Sequence, residues 1–269
     1  MTSRAPAKAW LIDIEGVLVR DKAYVPLPGA VETLARLDAA GIPFCLVSNN
    51  TTHSPDGLVA DLNGAGFSLT LDRLVGAVEL GATWLRQRGR TRVLWLGAPR
   101  MADHWRGQGF ELTDGTDCEA VMLGANPELS VDDLDQALPA LLDRGADLVC
   151  LHRNLFYLDA AGHRRLGPGA WAAALEALQG AGQVVTIGKP SPGIYEQALK
   201  RVGVDARDAL FISDDPVADL VTAGHLGMTT AFVLSGKYSD HGVLGRMTED
   251  DWPAIVCAGL SDLADETLS

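Results

Sequence analysis

Trp10-Leu11-Ile12-Asp13-Ile14-Glu15-Gly16-Val17-Leu18 is the stretch that decides how the rest of the chain is read. Apolar and aromatic side chains with β propensity run up to a carboxylate, a second carboxylate follows, and a glycine turns the chain. A short apolar run bounded by a glycine turn predicts a buried parallel strand. Such a strand has no use for Asp13 unless its end opens into a site. In open α/β sheets, ligands sit outside the carboxyl ends of the strands. The competing reading makes Asp13 and Glu15 turn residues of a helix-capping loop. Gly16-Val17-Leu18 continues apolar, which counts against it.

The chain has 269 residues, 47% of them hydrophobic and 21% charged, the balance of a soluble globular protein with one large domain or two ordinary ones. No run approaches the roughly 18 apolar residues of a membrane helix. Met1 to Lys8 is too short and polar for a signal peptide. The four cysteines, Cys45, Cys118, Cys150 and Cys257, form no C-x-x-C pair. Free thiols in a reducing compartment, and so a cytoplasmic protein, are expected. The net charge of -13 argues against nucleic acid and anionic membranes as partners. An acidic protein that takes an anionic substrate needs local positive charge, from a metal, a lysine or a helix N-terminus.

Outward from the first strand, a loop spans Val19 to Leu27, and Pro28-Gly29 opens a helix with Val31, Leu34 and Leu37 at helical spacing, closed by Gly41. Ile42 to Val47 predicts a second buried strand, ending in Ser48-Asn49-Asn50-Thr51-Thr52. Ser54-Pro55 starts the next helix, Ser as N-cap and Pro at the first helical position. From about Val78 the chain has its own alternation. Strands are expected at Val93 to Gly97, Ala120 to Gly124 and Leu148 to Leu151, with helices at Arg100 to Gly107, from Ser130, and at Ala170 to Leu178. Pro139 should break the helix begun at Ser130. Val184 to Ile187 returns as a strand and ends in Gly188-Lys189-Pro190-Ser191-Pro192, followed by a helix from Gly193 to Arg201. Leu210 to Ile212 ends in Ser213-Asp214-Asp215-Pro216, with Asp219 close behind, and Thr230 to Leu234 is the last clear strand. A tail helix capped by Ser261 closes the chain.

Asp13 with Glu15, Ser48 with Asn49, Lys189, and Asp214 with Asp215 and Asp219 thus all fall at one edge of a parallel sheet. Singly, each has a plain reading as a turn, a solvated lysine or a helix cap. Together they predict phosphoryl transfer. Oxygen ligands from Asp13 and Asp214 suit Mg²⁺, which keeps several waters and shares its shell with phosphate. The Asp13 carboxylate can attack phosphorus and give an aspartyl-phosphate that water hydrolyses. Lys189 and the metal neutralise charge on the transferring group. The Ser48 hydroxyl, and N–H groups after it, can bind phosphate oxygens at a helix start. No P-loop or dinucleotide fingerprint is present.

These motifs resemble those of the haloacid dehalogenase superfamily of phosphatases, in the subfamily IIA type with a large α/β cap between the second and third motifs. Within that type the chain is similar to the phospholysine phosphohistidine inorganic pyrophosphate phosphatases and their relatives. The residues that carry the resemblance are Asp13-Ile14-Glu15-Gly16-Val17-Leu18, Ser48-Asn49-Asn50-Thr51-Thr52, Gly188-Lys189-Pro190-Ser191-Pro192, Ser213-Asp214-Asp215 with Asp219, and Leu166-Gly167-Pro168-Gly169. The resemblance implies a doubly wound α/β core at residues 1–79 and 183–269 and an inserted α/β cap at 80–182. It also implies Asp13 as nucleophile and Mg²⁺ on Asp13, the Glu15 carbonyl and Asp214, with Asp215 and Asp219 completing the acidic set. Ser48, Asn49, Asn50 and Lys189 would bind the phosphoryl group, and Arg153, Asn154 and Tyr157 of the stretch after the Leu148 strand the rest of a small phosphorylated substrate. The competing reading of that stretch is a plain hairpin with a basic turn. Homo-oligomerisation through the cap follows from the resemblance alone.

Two positions depart from the superfamily pattern. Ser213 stands where Gly is usual, and Glu15 where the general acid is usually Asp. Loss of general acid help is worth about 10²–10⁴-fold and hurts least with good leaving groups, such as phosphoramidates, pyrophosphate or aryl phosphates. Glu15 is also what favours the competing reading, a catalytically weak module that binds metal or phosphate for regulation.

Overall fold

The computed structural model describes residues 7–20, 24–158, 163–178 and 183–267. Outside them lie residues 1–6 of the N-terminal stretch, 21–23 of the first loop, 159–162 and 179–182 of the expected cap, and 268–269 of the expected core. The chain forms two compact units. One comprises the residues up to Ser48, Val59–Val75 and Tyr195 onward, and the other Asn49–Leu58 and Gly76–Ile194. The expected cap, 80–182, falls within the second unit, which also takes in the segment after the second strand.

In the first unit, β1 (Ala9–Ile12), β4 (Phe44–Ser48) and β5 (Leu74–Gly76) join β13 (Ala209–Ser213), β14 (Thr229–Val233) and β15 (Ile255–Cys257) in one sheet of order β15-β14-β13-β1-β4-β5. β2 (Val19–Arg20) and β3 (Val25–Pro26) make a small antiparallel pair beside it in sequence. β1 is parallel to both neighbours, with Ile12 opposite Ile212 on one side and Leu46 on the other. All four β1 side chains are buried, which is why this strand reads as continuous apolar sequence rather than as an alternation. The register carries function: Asp13, Ser48 and Asp214 each stand at the carboxyl end of one of three adjacent strands.

The second unit has its own sheet, from β6 (Arg92–Leu96), β7 (Glu111–Leu112), β8 (Ala120–Leu123), β9 (Asp147–Cys150) and β12 (Val185–Thr186), in the order β12-β9-β8-β6-β7 with each neighbouring pair parallel. Its two faces bury different residues at a period of two. Val93, Met122 and Val149 pack on one side, and Leu94, Val121, Leu148 and Cys150 on the other. Helices cover both. The helix 77–87 and Trp105 lie on the first face, and the helix 168–176 and the segment 134–141 on the second. β10 (Phe156–Leu158) and β11 (Arg164–Leu166) form the hairpin that was one of the two readings of that stretch.

Local signals act as their chemistry predicts. Ser54 Oγ accepts from the Gly57 N–H and so caps the helix Pro55–Gly64. Ser130 and Asp133 form a reciprocal capping box. Pro139, which has no N–H to give, opens a wide turn over Pro139–Asp143 in place of regular helix. The last helix starts at Leu260, two residues earlier than a Ser261 cap requires, and the Leu263 N–H bonds to the Gly259 carbonyl.

Trp95 locks the ends of β6 and β8. Its indole N–H donates to the Ala98 carbonyl at 3.0 Å, which fixes the ring, and a Cβ on either Gly97 or Gly124 would collide with that ring. Gly124→Ala should therefore cost about 1–3 kcal/mol by overpacking. Added to Trp95→Leu, it should cost much less, a non-additivity that urea titration of the two single variants and the double would read.

Candidate active site

Four carboxylates, Asp13, Asp214, Asp215 and Asp219, are buried in the first unit. Adjacency of β1 and β13 brings the first two together. The Asp13 N–H bonds to the Ile212 carbonyl and carries the ladder one residue past the strand. Gly16 then turns the chain at φ +85°, where a Cβ would be strained and would also collide with the Asp214 carboxylate. The same turn stacks three N–H groups, from Val17, Leu18 and Val19, on the Ile14 carbonyl, and leaves Glu15 half-buried at its crest.

Burial, followed by the charge of Asp13, holds the Asp214 carboxyl well above the usual carboxylate range, with Asp219 and Asp215 adding to the repulsion and the Lys237 N–H opposing it. Such a pair is stable in its charged form only with a cation beside it, so the donor set fits a divalent metal. Among the described residues, no group of three or more His, Cys, Asp and Glu side chains is placed to hold a metal ion. A cation at Asp13 and Asp214 would complete its shell with main-chain and water oxygens, as Mg²⁺ does.

Asp215 and Asp219, of the expected acidic set, make defined hydrogen bonds in this structure. Asp215 Oδ1 accepts from the Ala218 N–H and caps the turn Pro216–Leu220, while Oδ2 takes the Lys237 ammonium at 2.5 Å. Ser213 explains its own departure from the family pattern. Its hydroxyl donates to Asp219 Oδ2 at 2.7 Å and accepts from the Asp215 N–H at 3.1 Å, tying the acidic run to itself. The Tyr195 hydroxyl donates to the Asp219 carbonyl, and burial pushes that phenol far above its ordinary value. Ser48 is buried at the end of β4.

The second unit assembles the remaining predicted residues. Asn49 binds the main chain of Lys189 at both atoms: its Oδ1 accepts from the Lys189 N–H at 2.8 Å, and its Nδ2 donates to the Lys189 carbonyl at 3.0 Å. The amide thus stands in for a paired strand. Gly188 makes room, since a Cβ there would collide with Asn49 Oδ1. The β9–β12 ladder continues through Ile187 and Gly188, whose N–H groups reach the Cys150 and Leu151 carbonyls, and Lys189 and His152, which follow the ladder on the two segments, are both buried. Burial pushes the Cys150 thiol up to about 12, which makes it inert. The Asn50 amide oxygen accepts from the Thr52 and His53 N–H groups and shapes the loop. Thr51 Oγ1 accepts from the Ala125 N–H.

Arg153 pairs with Glu176 at 2.9 Å. The glycines of Leu166-Gly167-Pro168-Gly169 lie against the Arg153 and Asn154 carbonyls with no space for a Cβ, and the Gly167 and Gly169 N–H groups bond to the Leu155 and Asn154 carbonyls. Tyr157 sits on β10 opposite Arg165. Sequence reasoning missed Ser235-Gly236-Lys237, although it follows the last clear strand, β14, at the same sheet edge as the other motifs.

A profile of the haloacid dehalogenase-like hydrolases matches residues 10–111, and a HAD-hydrolase-like profile matches 186–263. The chain is 31% identical over its whole length to "Haloacid dehalogenase-like hydrolase domain-containing protein 2" of Bos taurus, covering 98% of that protein. It is also 31% identical to human chronophin, over 96% of this chain and 88% of that one. The solved p-nitrophenyl phosphatase from Archaeoglobus fulgidus superposes with a TM-score of 0.85 at 27% identity, over 97% of this chain and 99% of that one.

Because folding raises the Asp214 pKa above its ordinary 3.8, the native state holds that proton more tightly than the unfolded chain. The resulting stability is complete below the ordinary value and is lost as pH rises through the raised one. In EDTA, the melting temperature should fall as pH climbs from the carboxylate range toward neutrality. Asp214→Asn should flatten that fall, with about 2–4 °C gained per kcal/mol of relieved repulsion. Mg²⁺ should restore stability to the wild type and not to Asp214→Asn. Parallel slopes for the two proteins in EDTA would sink this account.

Proposed function

The chain belongs to the haloacid dehalogenase-like hydrolase family, and from that membership we propose a Mg²⁺-dependent phosphatase that works through an aspartyl-phosphate on Asp13. The observation that carries this reading is the buried Asp13–Asp214 pair at the carboxyl ends of adjacent parallel strands. Asp13 attacks phosphorus, an Asp13–oxygen–phosphorus bond forms, and the bond to the leaving oxygen or nitrogen breaks. Glu15 gives its proton to the leaving group where one is needed, then takes a proton from the water that hydrolyses the aspartyl-phosphate. Asp13, the Glu15 carbonyl and Asp214 would hold Mg²⁺, which when bound supplies charge neutralisation to the phosphoryl oxygens. Lys189 and the Ser48 hydroxyl bind those oxygens. Asn49 serves through Lys189, whose main chain it holds.

The substrate class is a small phosphorylated metabolite, phosphoramidate or pyrophosphate, with a good leaving group favoured because Glu15 replaces the usual acid. The names of relatives support phosphatase chemistry, since the Archaeoglobus protein is called a p-nitrophenyl phosphatase. Residues 80–182 are the proposed cap, with Arg153, Asn154 and Tyr157 at its substrate side. Self-association through this unit has support in the exposed Leu155, Phe156 and Leu166. A cytoplasmic location has support in the four free cysteines. No helix among the described residues is long and apolar enough to cross a membrane.

Asp13→Asn should lower p-nitrophenyl phosphate hydrolysis on the order of 10³-fold or more and leave the circular dichroism spectrum unchanged. Near wild-type turnover in that variant would remove Asp13 as nucleophile, and EDTA-resistant turnover in the wild type would remove the metal.

Glu15→Gln separates the roles of that residue. It should slow alkyl phosphate hydrolysis by about 10²-fold or more and aryl phosphate hydrolysis far less. The comparison is kcat/KM on one substrate of each kind, and equal losses would mean that Glu15 is not the acid.

A further inference from the structure

We propose that Lys237 sets the metal selectivity of the site by keeping Asp215 out of the metal shell. This rests on the reading of a divalent cation at Asp13 and Asp214. Lys237 lies in the loop after β14. Its N–H donates to Asp214 Oδ2 and its ammonium to Asp215 Oδ2, both at 2.5 Å. The loop is pinned on either side of that residue. The Ser235 hydroxyl donates to the Gly16 carbonyl at 2.7 Å, and Gly236 lies so close to Asp214 that a Cβ on it would collide with the carboxylate. One short loop therefore holds the turn after the nucleophile and both acidic residues that follow β13.

The consequence is a count of donor oxygens. Asp214 Oδ2 accepts a main-chain N–H, which leaves Oδ1 the less committed of its two oxygens. Asp215 has both oxygens engaged, one by Ala218 and one by Lys237. The protein then presents Asp13, one oxygen of Asp214 and a main-chain carbonyl, with water for the rest. Mg²⁺ takes six oxygens, keeps several waters and needs only one or two carboxylates. Ca²⁺ takes six to eight oxygens and gains from further and bidentate carboxylates. Freeing Asp215 would add a carboxylate next to Asp214 and shift the site toward Ca²⁺. The loss of the lysine charge itself strengthens binding of both divalent ions, so the ratio of affinities is the quantity that reports selectivity.

The test is calorimetric titration of the EDTA-stripped full chain with Mg²⁺ and separately with Ca²⁺. Lys237→Met should raise Ca²⁺ affinity about tenfold or more relative to Mg²⁺, and Lys237→Arg should keep the wild-type ratio. Asp215→Asn, which retains the side-chain shape and the cap, should leave the ratio unchanged. Combined with Lys237→Met it should return the ratio toward wild type, the signature that Asp215 is the ligand released. An unchanged ratio in Lys237→Met, or a double variant as shifted as Lys237→Met alone, would overturn the inference while leaving the phosphatase reading intact. A wild type that binds neither ion would remove the metal reading and this inference together.

Discussion

The repulsion between Asp13 and Asp214 is the constraint from which the first unit can be understood. Two parallel strands in register deliver a carboxylate each to the same buried corner, and burial denies both the water that would stabilise their charge. The neighbouring features read as responses to that burden. Gly16 and Gly236 give up their side chains so that the chain can pass close to Asp214. Ser213 links Asp215 to Asp219, and Lys237 brings a positive charge to Asp215. A site arranged in this way gives up stability in the metal-free protein for a ready affinity toward cations, a trade common where function needs a destabilised group.

The second unit meets a different requirement with neutral groups. Lys189 must be held at a defined point, and Asn49 does this by pairing with its main chain rather than with its ammonium. The geometry leaves the charged end of the lysine outside the positioning contact. The two glycines at the exit of the β10–β11 hairpin act alike, since they let one backbone segment lie directly on another and their N–H groups bond across the contact.

Strand ends were the legible part of this chain. β1, β4, β8, β9 and β13 announce themselves as apolar runs, because strands covered on both faces carry no polar alternation to blur them. Short elements were not legible. β5, β7 and β15 have two or three residues each, too few for a period to register, and their pairing comes from neighbours distant in sequence. The unit boundaries are a matter of packing, so the membership of 49–58 in the second unit could not be read from composition. Among the site residues, Asp13 and Asp214 were readable because a carboxylate at the end of an apolar run is conspicuous. Lys237 was not, because a lysine in a Ser-Gly-Lys loop looks like ordinary surface, and the type of Asn49 does not say that both its amide atoms hold the Lys189 main chain.

The division of the chain also bears on how this protein could have been assembled and how it could be recombined. The backbone passes from one unit to the other after Ser48, Leu58, Val75 and Ile194. A cassette cut at two points could carry 76–194 into another host, but the piece 49–58 would stay behind, and with it Asn49, the partner of Lys189. Exchange between relatives that kept both would need breakpoints on either side of two separate segments. Crossovers that respect this pairing should yield foldable chimaeras more often than those placed at the obvious loop ends, so the Asn49–Lys189 contact is a linkage constraint on descent as well as a hydrogen-bonded pair.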